Sequence, residues 1–226
     1  MEYQIVRSAR RKSIAIQVRN QQVVVRTPSS VCDSYIATLV AKKRRWIEQH
    51  LLLQSQNATL CCNFDDGDSI LIGGNLKTLR IQQASKSTVI ESDTEVTVLI
   101  RSNKTNFDKA TIKKILERFL RNKAFDYIPS KVDVYANCMS TNYREIRIRK
   151  YSARWGSCSN QGVISFNYLL MMTPAWVVDY VIVHELAHRF YLNHSKEFWQ
   201  KVAEYYPNYQ AAKDWLRIHQ IQLNWS

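Results

Sequence analysis

The 226-residue sequence predicts an α+β protein, with a strand-rich N-terminal lobe over residues 1–103 packed on a helical lobe over residues 104–226. Three observations carry this prediction. Short β-branched runs fill the first half, longer apolar stripes at helical spacing fill the second, and the strands follow one another through short turns with helices grouped after them. Apolar residues make up 46% of the chain and charged residues 23%, which supplies enough core for one domain or two small lobes and excludes disordered and fibrous classes.

Residues 13–18 and 22–26 are β-branched runs separated by Arg19, Asn20 and Gln21, the pattern of a hairpin. Thr27, Pro28, Ser29 and Ser30 then punctuate the chain. Tyr35, Leu39, Trp46 and Ile47 recur near helical spacing and predict one helix over about 31–53 that carries the basic run 42–45. Strands are expected over 69–72, 78–82 and 95–100, with Gly73, Gly74 and Asn75 as a tight turn. Phe107, Ile112, Ile115, Leu116, Phe119 and Leu120 form an apolar stripe, so a helix should run over about 106–127 and stop before Pro129. Strands follow over 145–149, where apolar and basic residues alternate, and over 163–166. Thr173 suits the N-cap and Pro174 the first position of a helix reaching about residue 192. A second helix over about 196–206 ends before Pro207, and a last helical segment over 210–221 turns Trp215 and Ile218 toward the core.

The formal net charge of +13 favours anions such as nucleic acid, nucleotides or acidic membranes as partners. The excess recurs along the chain, as in Arg7/Arg10/Arg11/Lys12, Lys113/Lys114/Arg118/Arg121/Lys123 and Arg144/Arg147/Arg149/Lys150/Arg154. Each cluster alone reads as a solvated face, so only the sum carries weight. Five cysteines, an odd number, indicate no disulfide framework, and Cys61 beside Cys62 lacks the two-residue spacer of a zinc knuckle. The N-terminus has no apolar core of a signal peptide and no apolar run is long enough to cross a membrane, so the expected location is the cytoplasm.

Along the helix expected from Pro174 runs Val183-His184-Glu185-Leu186-Ala187-His188, the H-E-x-x-H pattern of zinc hydrolases. Residues four apart on a helix differ by about 40° and about 6 Å of rise, so His184 and His188 can meet one ion, while Glu185 lies about 100° round, beside the metal. Catalytic zinc usually takes three protein ligands and a water. His194 is the leading third ligand; it requires the chain to turn back, for which Asn193 could adopt a left-handed cap, with Ser195 capping the next helix and Glu197 in its first turn. Glu204 is the competing third ligand, and His50 and His219 read as surface or structural. The spacing of the three histidines equals that of the metzincins, but Tyr191 stands where their glycine breaks the helix and no methionine follows His194.

Taken together, Arg154-Trp155-Gly156-Ser157-Cys158, Val163-Ile164-Ser165-Phe166-Asn167, Pro174, the H-E-L-A-H helix and Asn193-His194-Ser195 followed by Phe198-Trp199 resemble the YgjP-like metallopeptidase family. The match is strong over about 144–200 and diffuse in the basic N-terminal half. The resemblance implies a zincin-like, Zn2+-binding domain related to the SprT-like group, with metal ligands His184, His188 and His194 and the catalytic acid Glu185. It leaves the substrate open. A peptide or protein is the leading expectation, by a zinc metallopeptidase using a Glu185-activated water. A nucleoside triphosphate pyrophosphatase is the alternative, its anion resting on Arg and Lys side chains because no Gly-rich phosphate loop is present. A third reading is a basic nucleic-acid-associated protein whose zinc only stabilises the fold, although a purely structural site has no use for the glutamate between its ligands. Arg154 and Trp155 read equally as cleft residues, the arginine orienting an anionic group or a carbonyl oxygen, or as ion-pair partner and core. Cys158 reads as a small, partly apolar filler.

Overall fold

In the computed structural model, which describes residues 2–19, 21–58, 62–101, 107–220, 222, 223 and 225, the chain divides into one unit over Met1–Leu60 and another over Cys61–Ser226. The first unit is a three-stranded sheet with two helices. Strands β1 (Gln4–Ser8), β2 (Ala15–Arg19) and β3 (Gln22–Pro28) lie in the order β1-β3-β2, with β3 parallel to β1 and antiparallel to β2. The β2–β3 hairpin is the expected one; Asn20 of its turn lies outside the described residues, and Gln21 takes φ 61°. Val23 and Val25 alternate inward along β3 and meet Ile36, Val40 and Ile47 in a small core.

Those last three residues come from two helices, α1 (Asp33–Lys42) and α2 (Arg44–Ala58), where the sequence suggested one over 31–53. The break falls at Lys43, inside the run of four consecutive cations, where residues 41–46 are all exposed. Like charges crowd there and no buried side chain compensates for them. Arg7 of β1 anchors the start of α1, donating to the Val31 carbonyl at 2.6 Å and pairing with Asp33 at 2.5 Å.

The second unit opens with a four-stranded sheet of β4 (Ser69–Ile72), β5 (Asn75–Ala84), β6 (Thr88–Glu91) and β7 (Glu95–Arg101), in the order β4-β5-β7-β6 with β5 and β7 parallel. Its inward residues Ile70, Ile72, Leu79, Val96, Val98 and Ile100 belong to the same core as Ile112, Leu116 and Leu120 of α3 (Lys109–Cys138). The strands that the 103/104 boundary groups with the N-terminal lobe thus share their core with α3, and the division of the chain comes before them. Asn106, the expected start of that helix, lies outside the described residues.

Pro129 does not end α3, which continues to Cys138. The proline removes one backbone donor and costs about 3 kcal/mol. The apolar stripe runs on beyond it through Val132 and Ala136, both buried, and burying one valine returns about 1.5–3 kcal/mol. After α3 comes a three-stranded sheet, β8 (Glu145–Arg149), β9 (Gly156–Cys158) and β10 (Val163–Asn167), in the order β8-β10-β9. A 3-10 turn (Tyr168–Met172) leads into α4 (Ala175–Ala187), followed by α5 (Lys196–Tyr205) and α6 (Tyr209–His219). On α6 the core positions are Ala212 and Leu216; Trp215 packs partly against the core, while Ile218 is 37% exposed, contrary to the inward placement read from the sequence. Residue 221, its expected end, lies outside the described residues. Among the described residues no helix is long and apolar enough to cross a membrane.

Candidate metal centre

The site is built on α4, a largely apolar helix most of whose length is buried: Val177, Val178, Val181, Ile182, Val183, Leu186 and Ala187 are all in the core. Its start is held from two directions. Thr173 donates its hydroxyl to the Leu170 carbonyl at 2.8 Å and closes the 3-10 turn, so it does not cap α4; Pro174 occupies the N-cap, and its ring fixes φ. From the other side the β4–β5 turn presses in. Gly73 and Gly74 take φ of 62° and 85° and donate to the carbonyls of Met171 and Met172 at 2.9 and 2.8 Å. A Cβ on Gly74 would stand 2.4 Å from the Pro174 ring, so only glycine fits this seat.

α4 ends at Ala187, earlier than the expected 192, and the turn does not depend on Asn193. The positive-φ residues other than glycine among those described are Gln21, Phe64 and Ser140. The helix tightens instead: Arg189 N–H bonds to Leu186 O, and Phe190 and Tyr191 N–H both bond to Ala187 O. Arg189 clamps the turn by donating to the carbonyls of Asn142 and Asn160 at 3.1 and 3.2 Å. Ser195 caps α5 as expected, its hydroxyl accepting from Phe198 N–H, with Glu197 in the first turn.

This turn carries His194 back to His184 and His188, and the ligand nitrogens of all three lie within 4.8 Å of one another. The Nε2 atoms of His184 and His194 are 3.1 Å apart. Two ligands of a tetrahedral zinc at 2.0–2.1 Å stand about 3.3 Å apart, so the spacing fits one ion. The second nitrogens fit as well. His188 Nδ1 faces the Tyr191 carbonyl at 3.0 Å and, since a carbonyl only accepts, carries the proton, leaving Nε2 free to ligate. Tyr180, one helical turn before His184, places its hydroxyl 3.5 Å from His184 Nδ1. Phe198, fully buried, lies beneath all three imidazoles with ring centroids 4.5 to 4.9 Å away. Trp199 stacks on His194, and Tyr209 stacks on Trp199. Burial, then the neighbouring His188, His194 and Lys213, push His184 down to about 3, and burial lowers His188, so both rings are neutral donors at pH 7.

Glu185 is only 5% exposed and faces the same cleft. Burial raises its carboxyl to about 8 against the opposing pull of Arg154. The carboxylate is pressed on β9 so closely that a Cβ on Gly156 would lie 2.5 Å from Oε1. The cleft has a volume of about 820 Å³ and is walled by Trp155, Gly156 and Ser157 of the β9 segment on one side and by Lys213 and Arg217 of α6 on the other. Trp155 is both cleft wall and partial core, reconciling the two readings of it. Arg154 also lines the cleft, lies over the Tyr151 ring and makes no ion pair among the described residues. Asn167 holds that loop in place, donating its side chain to the Tyr151 carbonyl at 3.0 Å and its backbone N–H to that of Trp155 at 2.8 Å.

Cys158 lines the cleft as a half-buried thiol whose pKa burial raises, the setting of a filler rather than a nucleophile. Glu204 is exposed and paired with Lys201 at 3.1 Å, outside the histidine cluster. His219 stacks on Trp215, and the side chain of His50 lies outside the described residues. Cys32, Cys138 and Cys158 are free thiols; Cys61 lies outside the described residues. Sequence reading missed Tyr180 and Lys213. The first was visible as the residue one turn before His184, whereas nothing in the sequence marks the second.

A family model described as YgjP-like, metallopeptidase domain, matches residues 12–219. Among solved structures, the metallopeptidase zymogen of Pyrococcus abyssi abylysin aligns at 21% identity over 41% of this chain and 92% of that chain, with a TM-score of 0.37. The metallopeptidase zymogen of Methanocaldococcus jannaschii jannalysin aligns at 22% identity over 41% of this chain and 94% of that chain, with a TM-score of 0.35. No curated protein matches the sequence.

Proposed function

The chain belongs to the YgjP-like metallopeptidase family and is a metal-dependent hydrolase, and from that premise we propose that it cleaves peptide bonds with zinc held by His184, His188 and His194 and Glu185 as the proton carrier. The supporting observation is the convergence of three imidazole nitrogens within 4.8 Å, with a buried carboxyl facing the same cleft. An all-nitrogen set of imidazoles suits zinc. Bound there, zinc supplies a Lewis acid for the scissile carbonyl and lowers the pKa of a ligated water toward about 7.

The chain's own residues do the rest. Burial favours the neutral form of Glu185, and a cation held by the three imidazoles would favour the ionised one; in that form it accepts a proton from the attacking water and returns it to the leaving amine. Gly156 leaves room for that carboxylate and, by pressing on it, fixes where it points. Tyr191 and Tyr180 orient the His188 and His184 rings from behind. Arg154, which has no ion-pair partner among the described residues, faces the cleft as a positive charge able to hold a carbonyl oxygen as it becomes negative.

The test is Glu185→Gln, assayed with a mixture of quenched fluorescent peptides alongside metal analysis. The variant should retain one zinc per chain and lose roughly 100- to 10,000-fold in kcat. Unchanged turnover rejects the assigned role of Glu185. Pyrophosphate release from a nucleoside triphosphate by the wild-type protein, with every peptide left intact, rejects the peptide bond as the target.

A further inference from the structure

The outer face of the β8-β10-β9 sheet carries a second groove, of about 690 Å³, that shares Arg154, Ser157 and Cys158 with the metal cleft. Strand alternation builds it. Ile146 and Ile148 of β8 turn to the core side, so Glu145, Arg147 and Arg149 turn outward. The register sets Arg147 beside Ser165 and Ser165 beside Ser157, and these small side chains leave a floor of hydroxyls, with Tyr151 OH 3.1 Å from Ser157 Oγ. Arg144, Arg147, Arg149 and Arg154 line this floor against a single carboxylate, Glu145, both of whose oxygens are held by Arg147 at 2.6 Å. Arg144, Arg149 and Arg154 form no ion pair among the described residues, so this groove gathers four guanidinium groups around one carboxylate.

We propose that this groove continues the substrate site and receives the acidic side chains of the polypeptide being cut. The inference rests on the peptidase reading above and deepens it. A chain threaded through the metal cleft passes directly into the groove, because Arg154 and Ser157 border both. An extended peptide presents alternate side chains to one face every two residues, about 6.6 Å, which is the repeat that separates Arg147 from Arg149 along β8. Guanidinium groups take carboxylates in paired, charge-assisted hydrogen bonds, and the serine floor supplies further donors. A single-stranded nucleic acid would share the attraction to charge, but it gains from exposed aromatic platforms. Tyr151 is the one aromatic residue lining the groove, and Arg154 already covers its ring at 5.2 Å.

The test uses zinc-loaded Glu185→Gln protein, whose turnover is slow on the timescale of binding, and fluorescence anisotropy with three labelled probes: a short peptide with glutamate at alternate positions, the same peptide with glutamine, and an oligothymidylate of similar length. The glutamate peptide should bind at least tenfold more tightly than the glutamine peptide, and the advantage should shrink with added salt. Arg144→Gln combined with Arg149→Gln should remove most of that advantage while the melting temperature stays within a few degrees. Equal affinity for the two peptides, a measurement that needs no groove variant, overturns the proposal, as does tighter binding of the oligothymidylate than of the glutamate peptide. Binding is read independently of cleavage, so loss of the acidic preference in a protein whose wild type cuts peptides refutes the groove alone. A wild type that cuts no peptide refutes the peptidase reading.

Discussion

Replacing Gly156 with alanine tests the geometry of the site with one methyl group. The backbone at Gly156 is not in the left-handed region, so alanine can adopt it, and the effect is purely steric. The new Cβ would stand 2.5 Å from Glu185 Oε1 and 2.7 Å from its Cδ and Cγ, where ordinary contact is 3.4–4 Å. The carboxylate therefore has to retreat by about 1 Å, and a displacement of that size in a catalytic group costs on the order of 100-fold in rate. That loss corresponds to about 2.7 kcal/mol of transition-state stabilisation. Overpacking should also lower stability by about 1–3 kcal/mol, leaving the protein folded. The three atoms nearest this methyl all belong to Glu185, so zinc should still bind. The measurements are kcat on a cleaved peptide, zinc per chain and the urea midpoint. A Gly156→Ala protein with full zinc and wild-type kcat would refute the claim that β9 positions the carboxylate.

Three further outcomes follow from the packing. His194→Ala should weaken zinc binding by more than the 10- to 100-fold typical of an outer-shell change, measured by competition with a chromogenic chelator, while Glu204→Ala should leave it unaltered; equal losses would put the third ligand elsewhere. Glu91→Gln strips the carboxylate from Lys77, only 9% exposed, and from Lys123, and should cost about 2–3 kcal/mol. Burial pushes the Glu91 carboxyl up, but the two lysines outweigh it and hold it below 4.5; the wild type should therefore lose this stability as pH falls below that value, and a glutamine variant with the same acid sensitivity would contradict the assignment. Pro129→Ala restores a donor for the Phe125 carbonyl inside α3 and should stabilise the protein by about 1–3 kcal/mol; a lower melting temperature would show that the proline is needed where it stands.

The α+β class and the histidine triad were legible because each rests on strong local signals, an apolar helix carrying H-E-x-x-H and strands with clear alternation. What escaped the reading depends on partners distant in sequence. β1 buries neither Ile5 nor Val6 fully and exists because β3 offers it a parallel edge. β9 is three residues including a glycine and a serine, a poor strand by composition, fixed by pairing with Ser165 and Phe166. Pro129 misled because the local rule for proline ignores Ile128 and Val132 on either side of it, both wholly buried. The turn to His194 was foreseen, but its cause was not. The tightened last turn and the Arg189 clamp do the work assigned to Asn193, and the carbonyls of Asn142 and Asn160 that Arg189 reaches cannot be identified from the adjoining sequence.

The seat of Pro174 against Gly74 joins the helix of His184 and Glu185 to a hairpin a hundred positions earlier in the chain. A contact between positions so far apart carries a larger loop-closure cost than a local one. The first turn of α4 is therefore held by a segment remote in the sequence, while the histidines at its other end meet through the local turn that follows Ala187. A fragment cut between β7 and α3 would keep every residue of the triad and still leave the first turn of α4 without its brace.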